Sequence, residues 1–297
     1  MKYSNKLNLP ESFSNFYKSQ EEVVIPNRYS VTELLKPVQE IMLYRKHINQ
    51  ISIDISECIP ALFGTAVHEL LEKNAPENCL SEYKFEEEIN GKILVGKCDL
   101  LDLTQKILTD YKTSSVSKVT KQDFEDYYLQ GMMYAYLTYL KFNIKISKIR
   151  FPVLLKDWSK IKSYSVTNYP QSPIYMWEYA PQDSDLEYII EYINNKFKEI
   201  DDNISECTDK DKWYSGDKYA VYKLAGDARA KKVFDTYSEA ELFKVENNCE
   251  YIEKRLGENI KCNYYCNVKE FCKQYRKEKQ NGEKSIWREN SRKNEKS

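Results

Sequence analysis

Glycine, histidine and long apolar runs are all scarce in this chain. Only 8 of its 297 residues are glycine, well below the roughly 7% of average usage, so each glycine is worth locating. Histidine occurs twice. No apolar run approaches the roughly 20 residues of a membrane-spanning helix. The opening Met-Lys-Tyr-Ser-Asn-Lys has no apolar stretch of the signal-peptide kind, so the expectation is a cytosolic protein without membrane contact. An excess of charge of one sign is also missing, since 45 Lys and Arg face 46 Asp and Glu. That excludes a globally basic nucleic-acid binder and leaves only local patches for phosphate contact. What is present is a globular composition, 41% hydrophobic, in a chain long enough to bury a core without staples. Eight cysteines remain. In a reducing compartment these are metal ligands or plain buried residues rather than disulfides.

The pattern along the chain predicts a sheet-centred α/β fold. A helix capped at Ser30 or Thr32 carries Leu34, Leu35, Ile41 and Leu43 inward. Cys58-Ile59-Pro60 breaks the chain, and Ala61–Lys73 follows as a short helix. Strands are expected over 83–89, 93–103 and 107–113. The first two are joined by Asn90-Gly91, a strong two-residue hairpin signal. A long helix over 123–142 and a fourth strand over 146–155 complete an α-β-β-β-α-β order. Two further helices are expected over 185–200 and 237–251. After Cys272 the chain holds nine Lys or Arg against four Glu, a basic tail expected to be frayed or disordered.

The middle of this pattern concentrates chemistry. Asp110 and Lys112 lie two apart on a strand and share a face, with Asp99 on the neighbouring strand. Two carboxylates and an ammonium make a poor core but a good divalent-metal site, because Mg²⁺ takes hard oxygen ligands. The Tyr111 carbonyl is placed to join them, and Lys112 can hold the attacking water or offset charge on a phosphate. His68 and Glu72 share one face of the preceding helix, as do Gln130 and Tyr134 on the following one. Each element alone is a common surface feature. Their order within about 70 residues raises the functional reading.

That order resembles the PD-(D/E)XK nuclease superfamily, in its RecB-like branch with a helical Gly-x-x-x-His (Gly64 to His68) and a Gln-x-x-x-Tyr motif. The resemblance covers about a third of the chain, 61–155. It implies a restriction-endonuclease-like core with helices around a mixed sheet. It implies Mg²⁺ or Mn²⁺ on His68, Asp99, Asp110 and the Tyr111 carbonyl. Lys112 is implied as the catalytic lysine, with Gln130 and Tyr134 in support. Cys98 stands where the family's name places proline.

Cys262, Cys266 and Cys272 form a C-x3-C-x5-C cluster. The spacing points to three ligands of one metal centre that needs a fourth from elsewhere. The alternative is three free thiols. The resemblance sharpens this, since some RecB-like nucleases, the AddB type among them, hold a [4Fe–4S] cluster on one upstream and three C-terminal cysteines. Cys58 and Cys207 compete for the fourth place, with Cys207 favoured, and zinc is the alternative to iron. Such a centre would clasp the C-terminal segment to the core. Cys79, Cys98 and Cys249 read as ordinary buried residues.

The organisation implied is an N-terminal helical segment (1–60), a nuclease core (61–160), a helical C-terminal extension with the cysteine cluster (161–275) and a basic tail (276–297). The function implied is a metal-dependent DNA exonuclease in the cytoplasm of a bacterial or phage-infected cell. It would act on single-stranded DNA or free ends, in recombination, replication or repair. A catalytically inactive DNA-binding or interaction module and a restriction-type endonuclease are the competing readings. For phosphate contact the sequence offers the basic tail and Lys118, Lys121, Lys156, Lys160 and Lys162. No protein partner is indicated.

Overall fold

The computed structural model describes residues 1–19, 23–202 and 206–280. Most of the basic tail, from 281 on, lies outside the described residues. The chain divides into two compact units, Met1–Ile204 and Ser205–Ser297. Among the described residues no helix is long and apolar enough to cross a membrane.

The first unit runs β1 (Lys2–Ser4), α1 (Glu11–Ser19), β2 (Arg28–Ser30), α2 (Val31–Leu34), α3 (Val38–His47) and β3 (Ser52–Asp54). It continues through α4 (Ile59–Glu72), β4 (Leu80–Ile89), β5 (Lys92–Asp102), β6 (Ile107–Thr109) and β7 (Lys112–Ser114). Then come α5 (Val116–Thr120), α6 (Glu125–Phe142), β8 (Lys148–Leu155), α7 (Lys160–Ser165), β9 (Ile174–Tyr179) and α8 (Asp183–Asp202). The expected α-β-β-β-α-β order is present as α4 to β8. Seven strands form one mixed sheet in which β4, β5 and β6 are antiparallel, β6 and β7 run parallel to β8, and β2 runs parallel to β5. Helices flank the sheet.

Local chemistry explains most boundaries. Asn90 and Gly91 both take positive φ, 51° and 74°, the conformation of a tight primed hairpin turn. Ser30 caps α2 with a full capping box. Its Oγ accepts the Glu33 N–H (3.1 Å), and the Glu33 carboxylate accepts the Ser30 N–H (3.4 Å). The single helix expected after Ser30 is two, because Pro37 cannot continue the first and instead precedes α3. Pro60 does not break the chain as expected. It sits in the first turn of α4, where a missing N–H removes no bond.

The long α6 lies on the sheet with eleven of its eighteen residues buried. Gly131 permits the approach, since a Cβ there would come within 2.7 Å of Ile149. The core joins its Met132, Met133 and Leu137 to Leu94, Leu101, Leu108, Ile149 and Phe151 of the sheet.

One expected strand, 107–113, is broken at Asp110–Tyr111. The register on β8 is continuous, from Ile107 opposite Lys148 to Lys112 opposite Val153. The Asp110 N–H donates to the Arg150 carbonyl at 3.0 Å. The next rung would need an N–H from Pro152, which has none.

The second unit contains β10 (Lys218–Tyr222), β11 (Lys232–Phe234), α9 (Tyr237–Glu246) and β12 (Tyr251–Arg255). The extension expected to be helical over 161–275 holds α8 and α9 but also the strands β9 to β12. Three antiparallel strands in the order β11-β10-β12 pack against α9 around Val221, Ala240 and Cys249. The helix expected to reach Tyr251 ends at Glu246, where Asn248 turns left-handed (φ 48°).

Candidate functional site

The break between β6 and β7 builds the site. β6 pairs with the end of β5 (Leu100 opposite Thr109) and then leaves it. Asp99 and Asp110 therefore face each other just beyond the last paired rung. The Asp99 carboxylate takes over the lost ladder, and its Oδ2 accepts the Tyr111 N–H at 2.6 Å. The other oxygen, Oδ1, lies 2.9 Å from His68 Nδ1 on α4.

Asp110 is buried and forms an ion pair with Lys112. Gln130 Nε2 reaches Asp110 Oδ1 at 3.5 Å and the Tyr134 hydroxyl at 3.2 Å. The Tyr134 ring lies over Gly96 of β5. A Cβ on Gly96 would meet that ring at 2.7 Å, so only glycine admits the tyrosine there. His68, Asp99, Asp110, Tyr111, Lys112, Gln130 and Tyr134 therefore converge from α4, β5, the β6–β7 break and α6. Glu72, one turn beyond His68, is exposed.

Burial sets the electrostatics. It raises the Asp110 carboxyl above the ordinary carboxylate range, against the pull of Lys112. The hydrogen bond from Asp99 raises His68. Burial drives the Tyr134 hydroxyl upward, keeping it neutral, and pushes the Cys98 thiol up to about 12.

The sequence reading missed one residue. Glu82 stands opposite Asp99 on β4, between the rungs Ser81–Leu100 and Tyr83–Cys98. It takes φ 50° at the third residue of the ten-residue β4, a conformation that costs a residue with a Cβ energy. Glu82, His68 and Asp99 place one donor atom each within 4.8 Å of the others. Lys97 pairs with Glu82. The strand expected from 83 begins at Leu80, which brings Glu82 into the sheet. One nitrogen and several carboxylate oxygens form a donor set suited to Mg²⁺ or Mn²⁺.

In the second unit the cysteine segment shows a different construction. Cys207 and Cys262 are half-buried, and burial pushes their thiols up to about 12 and about 11. Charge on Cys262, Cys266 or Cys272 would raise Cys207 further, so all four sulfurs share one neighbourhood. Gln274 straps Cys207 to the triad. Its Oε1 accepts the Cys207 N–H and its Nε2 donates to the Cys207 carbonyl, both at 2.9 Å. The Tyr275 N–H points at Cys272 Sγ, 3.4 Å away. An all-thiol donor set suits iron–sulfur or zinc. Cys58 lies in the first unit, with its thiol on the Asp54 carbonyl at 3.8 Å. Cys98 and Cys249 are buried as expected, and Cys79 is half-buried.

No family model and no curated protein matches this chain. Solved structures do. The crystal structure of SSO0001 aligns at 18% identity and TM-score 0.44, over 63% of this chain and 82% of that one. A phage-related exonuclease from Haemophilus somnus 129PT aligns at 11% and 0.37, over 64% and 100%. An alkaline exonuclease from Laribacter hongkongensis aligns at 8% and 0.36, over 60% and 89%. Likenesses this slight do not bear on function.

Proposed function

We propose that this chain is a divalent-metal-dependent deoxyribonuclease, acting as an exonuclease on single-stranded or end-exposed DNA. The observation that carries the reading is the joined set of His68, Asp99 and Tyr111 with Lys112, Asp110, Gln130 and Tyr134. It is assembled where β5 and β6 part. His68, Asp99, Asp110 and the Tyr111 carbonyl would hold Mg²⁺ or Mn²⁺. When bound, such an ion polarises the phosphoryl oxygens and offsets the charge that builds as the phosphodiester is attacked.

The chain's own groups do the rest. Lys112 orients or deprotonates the attacking water beside Asp110. Gln130 fixes the Asp110 carboxylate and is itself fixed by Tyr134. The Tyr111 N–H and His68 hold both Asp99 oxygens in place.

The full set of acids with its lysine favours an enzyme over an inactive DNA-binding module. The assay is cleavage of end-labelled linear, covalently closed and single-stranded DNA with Mg²⁺ or Mn²⁺. Loss of labelled ends with closed circles intact supports the exonuclease. Cut circles would make it an endonuclease, and equal cleavage by Lys112→Ala would refute the active-site assignment.

Cys207, Cys262, Cys266 and Cys272 are assigned a [4Fe–4S] cluster that clasps the C-terminal segment. The support is the shared neighbourhood of four thiols, each of which would gain from a balancing cation. Anaerobically purified protein should absorb near 400 nm, a wavelength typical of such clusters. A colourless, zinc-containing sample would replace iron by zinc. Colour lost in Cys58→Ser but kept in Cys207→Ser would move the fourth ligand to Cys58.

A further inference from the structure

A polyanionic strand needs cations to hold it, yet the carboxylate site supplies few. The same sheet offers them farther along. Val95, Lys97 and Asp99 alternate on β5, so their side chains leave on one face. Val95 lies about 13 Å from Asp99 at roughly 3.3 Å per residue. Ser30 of β2 pairs with Val95, and Arg28 leaves on the same side as Ser30. Arg28 reaches Glu86, the partner of Val95 on β4, at 2.9 Å.

Beside Val95 opens a cavity of about 250 Å³ lined by Arg28, Ser30, Thr32, Glu33, Lys36 and Arg45. Three cations there face Glu33, and Glu86, beside the opening, pairs with Arg28. Their roles differ. Arg45 is committed to Glu33 and to the carbonyls of Ile25 and Arg28, so it builds the wall. Lys36 and Thr32 are exposed, and the Ser30 and Thr32 hydroxyls lie 3.2 Å apart. Lys36 Nζ lies over the Tyr44 ring, 5.4 Å from its centre.

We propose that this cavity binds a backbone phosphate of the substrate strand, a few nucleotides from the bond cleaved at Asp99 and Asp110. Lys36 supplies the charge, Arg28 adds to it from its pair with Glu86, and the Ser30 and Thr32 hydroxyls supply donors. The inference rests on the nuclease reading above. It adds that the strand runs along the outward face of β5.

The test uses the full chain and the variant Lys36→Ala, with Thr32→Ala as a second variant. Both residues are exposed, so neither change empties the core. Binding of a labelled oligothymidylate dodecamer, without divalent metal, is followed across a salt series. Lys36→Ala should weaken binding roughly tenfold and flatten the log–log salt slope by about 0.7, the value for one single-strand phosphate contact. With Mn²⁺, KM for the dodecamer should rise while kcat holds, and cleavage of a dinucleotide too short to reach the cavity should not change.

An unchanged salt slope would overturn the proposal, as would equal losses on dodecamer and dinucleotide. Inorganic phosphate displacing the dodecamer at similar affinity would assign the cavity to a free anion and overturn the strand reading. If Lys112→Ala cut as well as the parent, the nuclease reading would fall by itself, and the salt series would still report on the cavity.

Discussion

The two candidate metal sites are built in opposite ways. At the first site Asp99 and Asp110 already have protein partners. Tyr111 N–H and His68 hold Asp99, and Lys112 and Gln130 hold Asp110. The sheet positions that site, where β5 and β6 part. In the second unit four thiols share one neighbourhood, and burial opposes the ionisation of Cys207 and Cys262. Strands 10 to 12 do not supply those sulfurs, and Gln274 is the strap that joins Cys207 to the rest. On the proposal above, a bound cation would complete the link between Cys207 and the triad. Losing the ion should therefore stop chemistry at the first site and loosen structure at the second.

The largest effect expected is structural. Cys207→Ser should remove the centre and take several kcal/mol from the C-terminal unit, the order of a structural metal site. Thermal unfolding should then show that unit melting early while the first unit keeps its transition. A single unchanged transition in a colourless variant would abolish the contrast between the sites.

Next comes Lys112→Ala, which should lower cleavage on the order of a thousandfold. It also probes stability. Burial raises Asp110 in the folded state, so its contribution is greatest below the unfolded value and is lost as pH rises through the folded one. Without Lys112 that loss deepens. The variant should be less stable than the parent at about pH 8 and approach it at acid pH. A stability deficit independent of pH would show that Asp110 does not depend on this lysine.

Smaller is the pH effect on activity at limiting metal. His68 is raised by Asp99, and Asp110 by burial. Both must lose protons before they can hold a cation. Cleavage should fall as pH drops through those raised values, by about tenfold per unit for each proton displaced. Extra Mn²⁺ should move that acid limb to lower pH. A limb that metal concentration does not move would place the titrating group outside the site.

What could be read from the sequence follows locality. The Asn90-Gly91 turn, the Ser30 cap and the amphipathic α6 are set by residues within a few positions of each other. So is the Asp110-x-Lys112 pairing, which needs only a strand's alternation. The break after Thr109 depends on Pro152, some forty positions on and visible only once β8 is in register. Spacing favours Cys207 over Cys58 only slightly, because the contact that sets Cys207 beside the triad comes from Gln274, a residue with no signature of its own. The sheet of the second unit was hidden in part by Tyr237–Tyr251, where a left-handed Asn248 ends a helix that apolar spacing alone would extend.

Glu82 offers the subtlest test, because it belongs to the pre-built site yet is held in a strained conformation. Its φ of 50° in a strand costs about 1 kcal/mol or more, and what that geometry achieves is a carboxylate beside His68 and Asp99. Two substitutions separate the charge from the strain. Glu82→Gln keeps the side-chain size and the strained backbone but removes the charge. It should weaken Mn²⁺ binding about tenfold, at the low end for a residue supporting a metal site, with cleavage restored by excess metal. Glu82→Gly loses the same charge but accepts positive φ freely. Its metal affinity should fall as far, while its thermal midpoint lies above that of Glu82→Gln. Titration calorimetry with Mn²⁺ and thermal unfolding of both variants read the two effects independently. Equal midpoints would mean the backbone stores no strain at Glu82. Unchanged affinity in both would remove Glu82 from the metal site and leave its left-handed turn a feature of the β4–β5 pairing alone.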